Sequence, residues 1–306
     1  MPSIRSSPVS ADDIKRFLAE RDDFAFEMKV FQTLQGAEIL GERLQVDHGG
    51  HYVDSVTGKS RQFDLRAGIT KGLHHLRMSI ECKHLSTSYP LLISRVPRPR
   101  KDAYHNLIVS KPRDVAATYE DRPLYHVARA AYGASPYLGE TPVGKSVTQV
   151  GLSKNGAEFV SGDAEIYEKW SQALASAEDL IWASIYDHDN RGRGDSKNFS
   201  RSAVLPLLVI PDGTLWVQDY SVEGSLLGVP TPVDACEFYL GKLFRKDSPF
   251  IRFELTHLHI FTFSGLSSFL AGVEGLSSLW PMLFPTFDGG GCLEITWPDQ
   301  PRARVP

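Results

Sequence analysis

The most constraining part of this chain is a run of alternating apolar and polar residues that doubles back on itself between Gln62 and Lys83. Gln62 to Ile69 and Leu73 to Lys83 each read as a strand, and Lys71-Gly72 supplies the turn between them. A reversal there sets residues whose numbers sum to about 145 opposite one another in an antiparallel pair. Asp64 then faces Glu81, with about 5 Å between their Cβ atoms. Side chains two apart along a strand share a face, so Lys83 points the same way as Glu81. Two carboxylates and an ammonium converge on one spot. Acids that close repel each other, and a divalent cation is the usual resolution.

The flanking sequence gives this hairpin a setting. Ser10-Ala11-Asp12-Asp13 marks a helix start. A second helix is predicted over residues 23–35, with Phe24, Met28, Phe31 and Leu34 at helical spacing and Gly36 as its stop. Glu27 lies on that helix, one turn before Phe31, placed to add a carboxylate if the helix packs over the hairpin. From about Glu38 the texture turns to β, with turns at Gly49-Gly50 and Thr57-Gly58-Lys59. The strongest helix runs from Asp163 to about Tyr186, with Ile166, Trp170, Leu174, Ala177 and Ile181 as one apolar stripe. Val204 to Ile210 and Thr214 to Val217 read as strands joined by Pro211-Asp212-Gly213, and Phe250 to Phe263 as another strand. Residues 131–163 look loop-like, Asp187 to Arg201 polar and mobile, and the last forty or so residues carry no clear period.

These patterns predict an α/β fold in which a mixed central sheet is flanked by helices. The expected divisions are a helical lead-in at 1–22, a core at 23–217, and an α/β extension at 218–306 packed on that core. A chain of 306 residues has room for this. Its hydrophobic share of 42% and charged share of 23% are ordinary for a soluble protein. No apolar run approaches the roughly 18 residues of a membrane helix, so no membrane association is expected. Residues 1–10 are polar, with Pro2 and Pro8, and lack the apolar centre of a secretory signal. Cys82, Cys236 and Cys292 are far apart with no Cys-x-x-Cys pair, which argues against a disulfide framework and fits a reducing cytoplasm.

The net charge of −4 gives no global signature of nucleic-acid binding, so the local distribution matters more. Between Ser94 and Pro123 lie Arg95, Arg98, Arg100, Lys101, Lys111 and Arg113, interleaved with Pro97, Pro99 and Tyr104. This segment is expected either to grip a nucleic-acid backbone or to form a solvated, proline-stiffened loop. Arg191, Arg193 and Lys197 form a smaller basic group. Gly139-Glu140-Thr141-Pro142-Val143-Gly144-Lys145-Ser146 matches the P-loop pattern letter for letter. However, Tyr132 to Pro136 before it is no core strand, and Val147 to Gly151 after it is a poor helix start. Lys145 is then expected as a phosphate contact on a loop near the active site. His48-Gly49-Gly50-His51 and His257-Leu258-His259 lack further ligands nearby and read as ordinary turn and strand histidines. Asp187-x-Asp189 fails as a calcium loop, because Arg191 takes a ligand position and no Glu closes it.

The chemistry expected of the hairpin is phosphodiester hydrolysis. Asp64 and Glu81, with the carbonyl of Cys82, would hold Mg²⁺ or Mn²⁺, which polarises the phosphate and acidifies a bound water. Lys83 would orient that water and offset charge building on the phosphate. Asp64, sixteen intervening residues, then Glu81-Cys82-Lys83 resembles the D…ExK signature of the PD-(D/E)XK, restriction-endonuclease-like nucleases. The setting is similar too: an acidic helix bearing Glu27, a β-meander, then helices. The approach through Tyr52-Val53-Asp54, Thr57-Gly58-Lys59 and Arg61-Gln62-Phe63 is similar to that of several members, with Phe63 in place of the eponymous Pro. The resemblance covers roughly residues 20 to 215. It implies a restriction-endonuclease-like core, a Gln or Lys on a later core helix (Gln172 as the candidate, with Gln149 as the alternative), and a DNA endonuclease of restriction or anti-phage defence. Nothing in the residues separates DNA from RNA. Double-strand cutting would favour a homodimer, since each site cleaves one strand. The alternatives are a nucleic-acid-binding protein with a non-catalytic nuclease-like fold and, on the Lys145 motif, a P-loop NTPase.

Overall fold

A computed structural model describes residues 8–21, 23–110, 125–131, 133–153, 156, 158–190, 200–245, 252–271, 275–285 and 293–296. Helix α1 (Ala11–Arg21) starts where the cap predicts, with the Ser10 and Asp13 amides each donating to the other's side chain at 3.1 Å. Helix α2 (Asp23–Gln35) has the expected bounds, but it buries Phe26, Val30 and Leu34. Phe24 and Phe31 instead flank His48, with ring centroids at 6.1 and 5.3 Å. Of the predicted stripe Leu34 is buried and Phe31 packs against the same core, while Phe26 and Val30 supply the rest of the buried face.

Short pairs follow, β1 (Glu38–Ile39) with β2 (Glu42–Arg43) and β4 (His51–Val53) with β5 (Ser60–Gln62). Between them β3 (Gln45–His48) joins the main sheet beside β6 (Leu65–Lys71), and β6 pairs with β7 (His74–Cys82). Leu65 lies opposite Ile80, so the register is the one the sequence predicts. Helix α3 (Ala164–Asn190) then crosses to β13 (Ser200–Ile210), which runs parallel to β7 with Val209 opposite Cys82. Picked out of a longer chain order, in which five further strands of the described residues lie between β7 and α3, the elements α2, β3, β6, β7, α3 and β13 form an α-β-β-β-α-β arrangement with its two helices on opposite faces of the sheet.

Alternation fixes this arrangement. Leu65, Leu76, Met78, Ile80 and Cys82 face α2 together with α4 (Phe263–Ala271) and α5 (Leu276–Leu283). Each such side chain contributes about 1.5–3 kcal/mol on burial. A slip of one residue would drive Arg77, Ser79 and Glu81 into that core, so the register is strongly specified. On the other face α3 lays Ile166, Trp170 and Ala173, then Ala177, Ile181 and Ile185, against the sheet.

Among the described residues the main sheet has fourteen strands. The remaining members are β8 (Leu91–Pro97), β9 (His105–Ser110), β10 (Tyr125–Ala130), β11 (Pro142–Leu152), β12 (Phe159–Gly162) and β14 (Leu215–Tyr220). The C-terminal part adds β15 (Leu226–Pro232), β16 (Ala235–Arg245), β17 (Arg252–Thr262) and β18 (Leu293–Thr296). The main path runs β15-β14-β8-β11-β16-β17-β13-β7-β6-β3. Strands β16 and β17 lie inside it, so the C-terminal strands share one sheet with those of 23–217.

Two expectations are corrected. The stretch from Ser94 is no surface loop, because it holds the end of β8 and all of β9; its residues 111–124, including Lys111 and Arg113, lie outside the described residues. The 131–163 segment, expected as loop, contains the eleven-residue β11. Its β-branched Val143 and Val147 are buried and outweigh the neighbouring glycines. No helix among the described residues is long and apolar enough to cross a membrane.

Candidate active site

Asp64 sits at the entrance to β6, opposite the end of β7. The Cys82 amide donates to its Oδ2 at 2.8 Å. Lys169, from the first turns of α3, donates to Asp64 Oδ1 at 3.0 Å and Oδ2 at 2.7 Å, and to Glu81 Oε2 at 3.2 Å. Two acids and one ammonium do meet, but the ammonium comes from the helix. Glu81 is 0% exposed, and its Oε1 has no hydrogen-bond partner.

Small and polar residues on one side of α3 bring it down onto the hairpin. Ser79 Oγ donates to the Ala173 carbonyl at 3.0 Å. Arg66 Nε donates to Ser176 Oγ at 3.1 Å, and its Nη1 pairs with Asp179 at 2.9 Å. Lys169 lies one turn before Ala173 on that same side, so the seam delivers its ammonium to the strand ends.

The electrostatics follow from burial. Loss of water, then the nearby charge of Asp64, pushes the Glu81 carboxyl up to about 8. Burial works against the Lys169 ammonium, but Glu81 and Asp64 overcome it and hold that group above its ordinary range. Burial raises the Cys82 thiol well above its usual value, so Cys82 serves the site through its backbone. Glu27 accepts or shares a hydrogen bond with His48 Nε2 at 2.7 Å, and burial followed by the charge of Asp64 raises its carboxyl. It lies within electrostatic reach of Asp64.

Other expected residues sit elsewhere. Lys83 Nζ pairs with Asp23 Oδ2 at 3.2 Å, and Asp23 Oδ1 also accepts the His84 amide. Gln172 lies one turn beyond Lys169, where its backbone carbonyl accepts from Tyr52 Oη at 3.3 Å. Gln149 is buried on β11 and donates to the Tyr89 carbonyl. Arg95 makes a two-point pair with Asp219. Arg98 is 1% exposed and bonded to Glu237, which removes it from any nucleic-acid surface. Arg100 and Lys101 are exposed, Arg100 lying 3.5 Å from Glu140. Lys145 pairs with Asp102 at 3.2 Å and stands over the Tyr239 ring. Being on β11, it has no phosphate-cradling turn into a helix. Strand β8 is five places from β7 along the sheet, so the Arg95–Lys145 group does not adjoin the carboxylates through the sheet. Residues 191–199, with the other basic group, lie outside the described residues.

Lys169 is the residue that sequence reasoning missed. It is the only Lys or Arg in the 27 residues of α3, three before Gln172, on the helix where the resemblance implies a Gln or Lys, and that was the available signal.

Among the described residues no three His, Cys, Asp or Glu side chains cluster closely enough to hold an ion by themselves. The donor set nevertheless fits a hard cation of the Mg²⁺ kind, which takes one or two protein carboxylates and completes its shell with water and phosphate oxygens. Glu81 Oε1 is a buried oxygen lacking a donor. Comparison with protein-family models, with curated proteins and with solved structures finds no match for this chain.

Proposed function

We propose that the protein is a metal-dependent nuclease that hydrolyses DNA phosphodiester bonds in restriction or anti-phage defence, on a restriction-endonuclease-like core. The observation that carries this reading is the meeting of Asp64, Glu81 and Lys169 at one end of the α-β-β-β-α-β unit, with a buried carboxylate oxygen left unpaired. When bound there, Mg²⁺ or Mn²⁺ supplies Lewis-acid polarisation of the phosphate and acidifies a water. Asp64 and Glu81 would hold it, Asp64 being aimed by the Cys82 amide. Lys169 takes the role expected of Lys83: it offsets charge developing on the phosphate and orients the attacking water. Lys83, through Asp23, fastens the start of α2 to the end of β7.

The test is incubation of the full chain with plasmid DNA in Mg²⁺, in Mn²⁺ and in EDTA, beside Asp64→Ala and Lys169→Ala. Cleavage that needs the metal and disappears in both variants supports the reading. Cleavage that survives Asp64→Ala, or fails with both metals on DNA and RNA alike, ends it. The position of Lys169 between the two acids also favours a second reading, in which the ion pair is structural and the chain binds nucleic acid without cutting. Retained binding with no cleavage and no calorimetric Mg²⁺ signal would select that alternative.

A further inference from the structure

A second candidate site lies on the sheet face opposite α3. A cavity of about 350 Å³ opens between β16, β17, helices α4 and α5, and the segment leading into β11. Its apolar walls include Phe261, Phe269, Leu279 and Leu138, and its polar lining includes Arg95, Arg98, Glu237 and His259. This volume falls within the roughly 300–1,000 Å³ of small-molecule sites, which pair apolar walls with a few fixed polar groups. Leu138, 50% exposed, stands at the mouth, whereas Arg98 is 1% exposed and marks the inner end.

The two guanidinium groups are held in place before any ligand arrives. Arg98 Nη1 donates to the Leu138 carbonyl at 2.7 Å and to Thr141 Oγ1 at 2.8 Å, and its Nη2 pairs with Glu237. Arg95 spends two N–H groups on Asp219, at 2.7 and 2.9 Å. A guanidinium carries five N–H donors, so both retain unspent capacity. The Nε of Arg98 is buried without an acceptor. Burying an arginine costs several kcal/mol unless it is paired; Glu237 supplies that pairing for Arg98, and Nε is the donor left without a partner. His259 has its Nε2 on Tyr137 Oη at 2.8 Å, and burial lowers its imidazole below the ordinary range. The cavity therefore has two guanidinium groups in its lining and aromatic or aliphatic surface along its walls.

We propose that this cavity binds a small organic anion with a flat apolar body, its carboxylate or sulfonate meeting Arg98 and Arg95 and its body lying against Phe261, Phe269 and Leu279. The proposal is independent of the nuclease reading. The probe is 8-anilinonaphthalene-1-sulfonate, an aromatic sulfonate, titrated into the full chain with fluorescence and calorimetry as readouts. One saturable site per chain is expected, with affinity at least tenfold weaker in Arg98→Gln and in Ala235→Trp. Ala235 lines the cavity yet is exposed, so a tryptophan there fills the mouth without entering the core. It keeps the test informative if Arg98→Gln fails to fold. Glu81→Gln is expected to bind the probe as the parent does. Absent or non-saturating binding, binding unchanged in a natively folded Ala235→Trp, or binding lost in Glu81→Gln would each overturn the proposal.

Discussion

Replacing Glu81 by glutamine is expected to stabilise the metal-free protein. In the unfolded chain this carboxyl ionises at about 4.5, whereas burial and Asp64 hold it near 8 in the fold. The folded state therefore binds this proton more tightly, and the stability it contributes is fully present below 4.5 and is lost as pH rises through 8. At pH 7 the loss already corresponds to about 3 kcal/mol, at about 1.4 kcal/mol per pH unit above 4.5. An amide of the same shape carries no such charge, keeps an oxygen on Lys169, and offers Asp64 a donor. With about 2.1 cal/mol/K of unfolding entropy per residue, 3 kcal/mol moves the midpoint of this chain by about 5 °C. Thermal melts followed by circular dichroism in EDTA read this directly. The gap between variant and parent should close toward pH 4.5 and widen toward pH 8. A Glu81→Gln midpoint equal to or below the parent's at pH 7 would show that the ionised Glu81–Lys169 pair is net stabilising, and the reasoning from burial would fail.

Lys169→Ala should lower plasmid cleavage by at least about 100-fold, in line with the loss of one preorganised transition-state charge, while Lys83→Ala should stay within about threefold because its ammonium is spent on Asp23. Equal losses in the two variants, measured as initial rates at saturating Mg²⁺, would contradict this assignment. His105 is fully buried between Ser135 and the Leu283 carbonyl, and burial depresses it to about 4. The unfolded chain takes up that proton near 6.5, so stability should fall by about 3 kcal/mol as pH drops from 6.5 to 4. Urea melts in the Glu81→Gln background remove the opposing trend, and a flat profile there would refute it. Gly265→Ala would drive a Cβ into the Asp234 carbonyl oxygen, which already accepts the Thr262 amide. A loss of about 3 kcal/mol is expected in the same melts, and a neutral effect would mean that this backbone contact yields easily.

The hairpin was legible because its information is local. Alternation from Leu65 to Ile69 and from Leu76 to Cys82 sets both the buried face and the register, and the turn at Gly72 closes the pair without long-range help. That was enough to bring Asp64 to Glu81. Helices α2 and α3 were legible from their periods, and strands β13 and β14 from short apolar runs joined by the turn Pro211-Asp212-Gly213, which are local signals too. Arg98 was not, because its polar partner Glu237 lies 139 residues away, and a buried arginine among prolines has the same letters as a solvated one. Strand β11 was hidden by Gly144 and Gly151, whose missing side chains make room for Ile93, Phe238 and Tyr89. That packing reason exists only once β8 and β16 lie beside it.

The exchange of Lys83 for Lys169 shows what the motif letters constrain and where they stop. Alternation ties Lys83 to the face of Glu81 only while the chain remains a strand flanked on both sides, and β7 ends at Cys82. The Lys83 amide still bonds the Val209 carbonyl at 3.0 Å, yet its side chain is drawn to Asp23 at the start of α2. Lys169 is bound by firmer conditions. Its helix is tied to the hairpin by Ser79 on Ala173 and by Arg66 on Ser176 and Asp179, so rotating Lys169 away would break three polar contacts in a buried seam. The proposed chemistry asks for one ammonium about 3 Å from both acids and is indifferent to the element that brings it. Of two lysines within reach, the one backed by a rigid, bonded helix holds that position at lower entropic cost than the one leaving the end of a strand.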